Sequence, residues 1–217
     1  MKETSPDSPV CPICYDGTPE TRAFWNGHLP HWDVYGRPIF LTLHVRGAIP
    51  LQAAQKIRAS AVKVSRRESD SEYARKVKRI FAAMDTWLDH SESASWLTMP
   101  SVADMLCESI ELRKRQGKWR PLHWVIMPNH LHVLYIGGSI GMQELMHDFK
   151  RWTAMRANVL LDRQGKRFWQ EDWFDHWSRS ADETDRIAHY IRNNPVRAGL
   201  VKSADDWRWS SWCQNGE

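Results

Sequence analysis

An α+β fold with a mainly antiparallel sheet is predicted for this chain of 217 residues. Three short segments are rich in β-branched and aromatic residues, and Gly or Pro bounds them, as is usual for strands. Longer segments between and after them place apolar residues at helical spacing. The resulting order is one strand, several helices, two strands and two more helices, which favours α+β over alternating α/β topology.

The first predicted strand is Pro38 to Val45, which Gly36 and Gly47 bracket. A long helical region follows it, and its first two segments are Leu51 to Arg67 and Ser71 to Leu88. The second of these segments repeats apolar residues every three or four positions, so one face of the helix should be buried.

A third helix is predicted to begin at Pro100. After it, the segments 122–127 and 131–136 are predicted to pair as a hairpin. Only Pro128 and Asn129 interrupt the pattern between them. The fixed negative φ of proline is unsuited to a primed two-residue turn, so the sequence leaves the register of this hairpin open.

Two more helices are predicted in the last third of the chain. The first runs from Gly141 to Asp162, and a Trp-rich loop at 167–177 follows it. Ser180 and Glu183 have the spacing of a capping box at the start of the second helix. Asn193 to Pro195 should end that helix, because proline cannot continue one.

The composition excludes a membrane-spanning protein, a collagen-like fibre and a mostly disordered chain. The chain has 30 Lys and Arg against 26 Asp and Glu, and 42% of its residues are hydrophobic, which is ordinary for a globular protein. No apolar run approaches the ~20 residues that cross a bilayer. The polar N-terminus lacks the apolar stretch of a secretory signal, so we expect a cytoplasmic protein. The mildly basic balance permits a nucleic-acid partner without requiring one.

We expect residues 1–20 to form a flexible tail and residues 21–217 a single domain, with a helical region at about 51–120. Cys11 and Cys14 lie in the tail, and His28 and His31 follow it. A zinc site is one interpretation. The spacing fits zinc modules poorly, so we favour two incidental thiols and two loop histidines.

His130 and His132 are the first candidate functional residues. Side chains alternate along a strand, so residues two apart share a face and both imidazoles should project together. Neutral imidazoles so placed are a potential pair of metal ligands. For this pattern alone, two polar residues on a solvated strand face are the more common explanation.

Tyr190 and Asn194 are the second candidate pair. Residues four apart are neighbours on one face of a helix, so a phenol and an amide should meet there. Tyrosine can act as a covalent nucleophile, and an amide oxygen can bind a hard cation. For this pair alone, a tyrosine at the edge of the core and an asparagine that caps the helix end beside Pro195 are the more common explanation.

Several motifs together resemble the REP-associated tyrosine transposases, a single-tyrosine branch of the HUH endonucleases. The resemblance covers roughly residues 28–212, and its segments, in order, read LPHWDVYGRPIFLTLHVRG, MPNHLHVL, HDFKRWTA, FWQEDWFDHWSRS, YIRNNPVRAGLV and DWRWSS. It implies a ferredoxin-like HUH domain with added helices, in a bacterial protein associated with the nucleoid when bound to DNA.

The resemblance also implies the roles of four residues. His130, His132 and Asn194 match the positions that bind a divalent metal ion in the family, here Mg²⁺ or Mn²⁺. Tyr190 matches the catalytic tyrosine. The implied activity is cleavage and transfer of single-stranded DNA that carries REP-type hairpins, through a 5′-phosphotyrosine intermediate. A homodimer is possible.

Basic and aromatic residues near the helix at 141–162 suit DNA binding. The candidate phosphate contacts are Lys150, Arg151, Arg156, Arg163, Lys166 and Arg167. Trp169, Trp173 and Trp177 could stack on bases, but we expect each in the core. We also favour structural roles for Asp175 and His176.

Two alternatives to a tyrosine transposase stay open at the level of sequence. One is a non-catalytic, domesticated protein that only binds DNA hairpins. The other is a metal-dependent phosphodiesterase that uses water as nucleophile, which would cleave DNA without forming a protein adduct.

Overall fold

The computed structural model describes residue 13 and residues 15–61, 64, 70–90 and 94–214. The strands in this part of the chain are β1 Thr21–Asn26, β2 Pro30–Val34, β3 Pro38–His44, β4 Trp119–Ile126, β5 His130–Gly137 and β6 Phe174–Trp177. The helices are α1 Leu51–Ala61, α2 Asp70–His90, α3 Pro100–Arg115, α4 Met142–Leu160, α5 Ala181–Arg197 and α6 Ser211–Gln214, with a 3₁₀ turn at Ala204–Asp206.

The central sheet has four antiparallel strands in the order β4-β5-β3-β6. In chain order the core elements are β3, α3, β4, β5, α4 and β6, and α1 and α2 are inserted between β3 and α3. This connectivity and strand order are those of a ferredoxin-like fold. The predicted α+β fold, with its antiparallel sheet and added helices, is therefore confirmed.

The predicted Trp-rich loop at 167–177 is partly wrong, because its end forms the edge strand β6. β6 pairs with β3, and Phe40 lies opposite His176. All four residues of β6 are buried, so the segment lacks the alternation that marks a half-exposed strand. The predicted placement of Trp169, Trp173 and Trp177 in the core is right, since each is at most 9% exposed.

A two-stranded hairpin, β1–β2, was not predicted and packs beside β6 through a buried histidine. His31 lies on β2, so the prediction of a loop histidine is wrong. Its Nδ1 is 2.5 Å from Asp175 Oδ1 and its Nε2 is 2.7 Å from Asp172 Oδ1. The rings of Trp25 and Trp173 flank the imidazole, with centroids 4.8 Å and 4.6 Å away. Asp175 thus has the structural role expected of it.

Helix α5 begins as predicted and ends later than predicted. The Ser180 hydroxyl accepts a hydrogen bond from Glu183 N–H, which completes one half of the capping box. Pro195 lies inside the helix, which continues to Arg197. The missing proline N–H costs one helical bond, but Asn194 and Pro195 carbonyls still accept from the residues that follow. The predicted end at Pro195 is therefore wrong.

The turn between β4 and β5 settles the register that the sequence left open. Met127 N–H donates to His130 C=O, so Pro128 and Asn129 form a two-residue loop. Neither residue has positive φ, so this is not the primed turn that proline excludes. Among the described residues, no helix combines the length and apolar character needed to cross a membrane.

We expect the His31 bridge to make stability depend on pH. Burial alone would lower its pKa, but the charges and hydrogen bonds of Asp175 and Asp172 outweigh burial and raise the pKa to about 9 from 6.5. The folded state therefore holds this proton more tightly than the unfolded chain does. The stabilisation, roughly 3 kcal/mol, is complete below pH 6.5 and is lost as pH rises through about 9.

Urea unfolding across this range should show that loss in the wild type. His28→Gln, which changes an exposed histidine nearby, should keep the same pH dependence. His31→Gln should lose it. If the unfolding free energy had the same pH dependence in all three proteins, His31 would not be its cause.

Candidate active site

The two histidines of β5 lie on one buried face of the sheet, as their alternation predicted. His132 is opposite Thr42 on β3, and His130 is opposite His44. The ring centroids of His130 and His132 are 4.5 Å apart, and both side chains are at most 1% exposed. The alternative of a solvated strand face is therefore wrong.

Asn129 fixes the tautomer of His130. Its Nδ2 donates to the carbonyl of Leu88, at 3.1 Å, so its Oδ1 is the atom that faces the imidazole. His130 Nδ1 lies 2.7 Å from that oxygen. An amide oxygen can only accept, so Nδ1 carries the proton and Nε2 keeps its lone pair. The Leu88 carbonyl of helix α2 thus orients His130 of β5 through Asn129.

His132 is oriented in a similar way from β3. Its Nδ1 lies 2.8 Å from Thr42 Oγ1. Burial, and then the charge of Arg197, lowers the His132 pKa to about 3. Burial is also the main cause that lowers the pKa of His130 well below 6.5. Both rings are therefore neutral near pH 7, which is the form that binds metal ions.

Tyr190 and Asn194 meet on α5, as their spacing predicted. Asn194 Nδ2 donates to Tyr190 Oη at 3.0 Å. Tyr190 Oη also lies 3.3 Å from His132 Nε2. Helix α5 therefore brings the candidate nucleophile to the histidines of β5.

Asp85 is a site residue that no pattern in the sequence indicated. It lies on α2, and its Oδ1 accepts a hydrogen bond from the Tyr190 hydroxyl. Arg197 holds the other carboxylate oxygen at 2.9 Å and Asp89 Oδ2 at 3.0 Å. Burial, followed by the charge and hydrogen bond of Asp85, raises the Tyr190 pKa above its ordinary value. The phenol is thus protonated, with its proton directed at Asp85.

The donor atoms of the site fit a divalent cation. His130 Nε2 and Asn194 Oδ1 are buried and have no hydrogen-bond partner among the residues that the structure describes. Unpaired buried polar atoms cost free energy, and a metal ligand is one use that offsets the cost. In the same part of the chain, no three His, Cys, Asp or Glu side chains form a metal-binding group, so an amide would have to complete the site.

A basic cavity of about 650 Å³ contains most of the residues predicted to bind DNA. Lys150, Arg151, Lys166 and Arg167 line it together with Trp169. Burial lowers the Lys150 pKa to about 8, and its ammonium donates to the Glu171 carbonyl at 2.6 Å. The loop that lines the cavity is joined to the end of β3, because Trp169 pairs with the residue after β3 and Gln170 N–H donates to His44 C=O.

Other predicted residues lie elsewhere. Arg156 is outside this cavity, with its guanidinium 5.9 Å from the Trp152 ring. The guanidinium of Arg163 stacks on Trp96 at 3.5 Å. Cys11 and Cys14 lie outside the described residues. His31, their proposed zinc partner, uses both ring nitrogens to bind carboxylates.

Comparison with known families gives a match in the part of the chain that carries the candidate site. Residues 91–194 match the family described as "Transposase IS200 like". The matched segment contains all four candidate residues of the histidine and tyrosine site. It excludes Asp85 and Arg197.

A curated relative and a solved structure also resemble this chain. The REP-associated tyrosine transposase of Escherichia coli (strain K12) is 28% identical over 109 residues, which is 50% of this chain and 63% of that protein. A solved REP-associated tyrosine transposase bound to a REP hairpin has the same fold, with a TM-score of 0.54 and 19% identity, covering 85% of this chain and 81% of that one. The resemblance seen in the sequence is confirmed.

Proposed function

We propose that this protein is a metal-dependent endonuclease and strand transferase for single-stranded DNA that carries REP-type hairpins. The observation that carries the proposal is the environment of the Tyr190 hydroxyl, which contacts Asn194, His132 and Asp85 at once. A tyrosine that only packed at the edge of the core would need just one hydrogen-bond partner for its hydroxyl. Similarity to a transposase that binds a REP hairpin supports the choice of DNA.

In the proposed reaction, Tyr190 Oη attacks a phosphorus atom of the DNA backbone. A bond forms between Oη and phosphorus, and the bond from phosphorus to the 3′ oxygen breaks. The products are a 5′-phosphotyrosine and a strand with a free 3′ hydroxyl, which takes a proton from solvent. One phosphodiester replaces another, so a 3′ hydroxyl of a second strand can reverse the step without ATP.

Asp85 is the proposed acceptor of the Tyr190 proton. The hydroxyl must lose its proton as it attacks, because a neutral phenol is a weak nucleophile. It already donates to Asp85, whose second oxygen is held by Arg197. Arg197 thereby keeps the carboxylate in position to receive the proton. A positioned acceptor of this kind contributes roughly 10²–10⁴-fold in rate.

His130, His132 and Asn194 are the proposed ligands of Mg²⁺ or Mn²⁺. Nitrogen ligands suit Mn²⁺ better than Mg²⁺, which prefers oxygen. When bound, such an ion polarises the phosphate and offsets the charge that develops in the transition state. Thr42 and Asn129 serve this site indirectly, since each contacts Nδ1 of one ring and so leaves Nε2 as the nitrogen that faces the site. His130 Nε2 has no partner among the described residues, and His132 Nε2 contacts Tyr190 Oη.

The first prediction concerns covalent capture of DNA. Wild-type protein with Mn²⁺ and a hairpin oligonucleotide labelled at its 3′ end, the end that stays with a 5′-phosphotyrosine, should give a labelled protein band on a denaturing gel. Tyr190→Phe should give none but should still bind the DNA, because only the nucleophilic oxygen is removed. Tyr35→Phe, which changes an exposed tyrosine outside the site, should behave as wild type, and chelator should abolish the band.

The same gel tests the alternatives. Cleavage by both wild type and Tyr190→Phe without an adduct would point to a phosphodiesterase that uses water. Binding without cleavage by either, on every flanking hairpin tried, would leave a DNA-binding protein without catalytic activity.

The second prediction concerns Asp85. Asp85→Asn should lower the rate of adduct formation roughly 100-fold or more, because an amide cannot take the phenol proton. Asp89→Asn is the matched control, since Asp89 also binds Arg197 but does not contact Tyr190. Both variants should bind DNA normally. Equal adduct rates in the two variants would show that Asp85 is not the proton acceptor.

The third prediction concerns the basic cavity. Lys166→Ala with Arg167→Ala should weaken DNA binding and reduce the slope of log K against log salt by roughly 1.4 to 1.8, because two phosphate contacts are lost. Lys114→Ala with Arg115→Ala removes the same charges from the end of α3 and should leave the slope nearly unchanged. Equal losses in both double variants would indicate that only net charge matters.

A further inference from the structure

A small cavity of about 160 Å³ borders Tyr190 on one side. It lies between α2, α5 and the edge of the sheet formed by β3 and β6. Its walls are aromatic: Phe81 from α2, Phe40 from β3 and Phe174 from β6. The Phe81 ring lies 5.0 Å from that of Phe174 and 5.1 Å from that of Phe40, measured between centroids. The cavity therefore has aromatic walls beside the proposed nucleophile.

His176 gives the cavity a polar group. It is 6% exposed, and its Nε2 lies 3.2 Å from Glu183 Oε1 and 3.4 Å from Arg179 Nη1. A carboxylate can only accept, so the imidazole proton lies on Nε2, towards Glu183. Nδ1 is left as an acceptor, and it has no hydrogen-bond partner in the part of the chain that the structure describes.

Two exposed cations also line the cavity, namely Lys78 from α2 and Arg186 from α5. Lys78 is bound to Glu183 at 2.9 Å. No ion pair of Arg186 occurs within the described residues. A ligand that placed an anionic group next to a planar apolar group could therefore use the cavity and its basic edge together.

We propose that this cavity binds one unpaired nucleobase of the DNA strand, adjacent to the phosphate that Tyr190 attacks. The proposal rests on the proposed function. Aromatic walls suit a planar heterocycle, and stacking of this kind accepts bases without strict sequence preference. Arg186 would contact the neighbouring phosphate, and the ring of His176 would line the pocket beside the base.

Such a pocket would select single-stranded DNA at the cleavage position. A base can enter only when it is unstacked and unpaired, and holding it would also fix the phosphate next to it. His176, for which the sequence favoured a structural role, lines this pocket. Phe81 and Lys78 come from inserted helix α2, outside the segment that matches the family.

The test uses Tyr190→Phe protein, which cannot form the adduct, and hairpin oligonucleotides with 2-aminopurine at each unpaired position in turn. One position near the cleavage site should show a strong change in fluorescence on binding. An abasic nucleotide at that position should weaken binding about tenfold. Adding Phe174→Leu or Phe81→Leu should remove both effects. Phe24→Leu, which changes an aromatic residue of β1, should retain them.

The outcomes separate this proposal from the proposed function. If wild-type protein forms no adduct but one base is still buried in a Phe174-dependent way, the pocket stands and the transferase assignment fails. If adduct forms and no position responds, or the pocket variants respond like Phe24→Leu, the pocket is overturned. Failure to bind any hairpin overturns both.

Discussion

Two neutral imidazoles buried in the middle of an antiparallel sheet are the constraint on which this site depends. Each has two ring nitrogens, and a buried polar atom without a partner costs free energy. Thr42 and Asn129 satisfy one nitrogen of each ring. The second nitrogen of each ring, Nε2, faces the candidate site. The pairing of β3 with β5 and the turn before β5 therefore determine where that site lies.

Helix α2 contributes three further groups to the candidate site. It supplies the carbonyl of Leu88 that orients Asn129, the ring of Phe81 that packs on Tyr190, and the carboxylate of Asp85. None of these lies in the segment that matches the transposase family. The matched segment contains the proposed nucleophile and its proposed metal ligands, whereas Asp85, the proposed acceptor of the phenol proton, comes from the insertion.

The sequence predicted those parts of the site that depend on local periodicity. Alternation in a strand placed His130 beside His132, and helical spacing placed Asn194 beside Tyr190. Asp85 could not be found in this way, because 105 residues separate it from Tyr190 and one acidic residue in a charged helix has no distinguishing pattern. β6 was missed because all its residues are buried, which removes the alternation that reveals a strand.

Pro195 shows how a local rule can mislead about function. The rule that proline ends a helix would have placed Arg197 outside α5. In the structure α5 continues, so Arg197 follows Tyr190 by seven residues, two turns on, with its guanidinium 4.8 Å from the tyrosine ring. The same face of one helix therefore carries the proposed nucleophile and the cation that holds its proton acceptor.

If Tyr190 forms the proposed adduct, the hydrogen bonds between α2 and α5 would change. The free phenol donates to Asp85, and Arg197 binds Asp85 and Asp89 beside it. A phosphotyrosine has no proton to donate, so an adduct would leave Arg197 as the remaining hydrogen-bond donor from α5 to Asp85. The protonated Asp85 formed in the proposed step would also bind Arg197 less strongly than the carboxylate does. Formation of the adduct would thus weaken the attachment of the inserted helix to α5, beside the cavity proposed to hold the base.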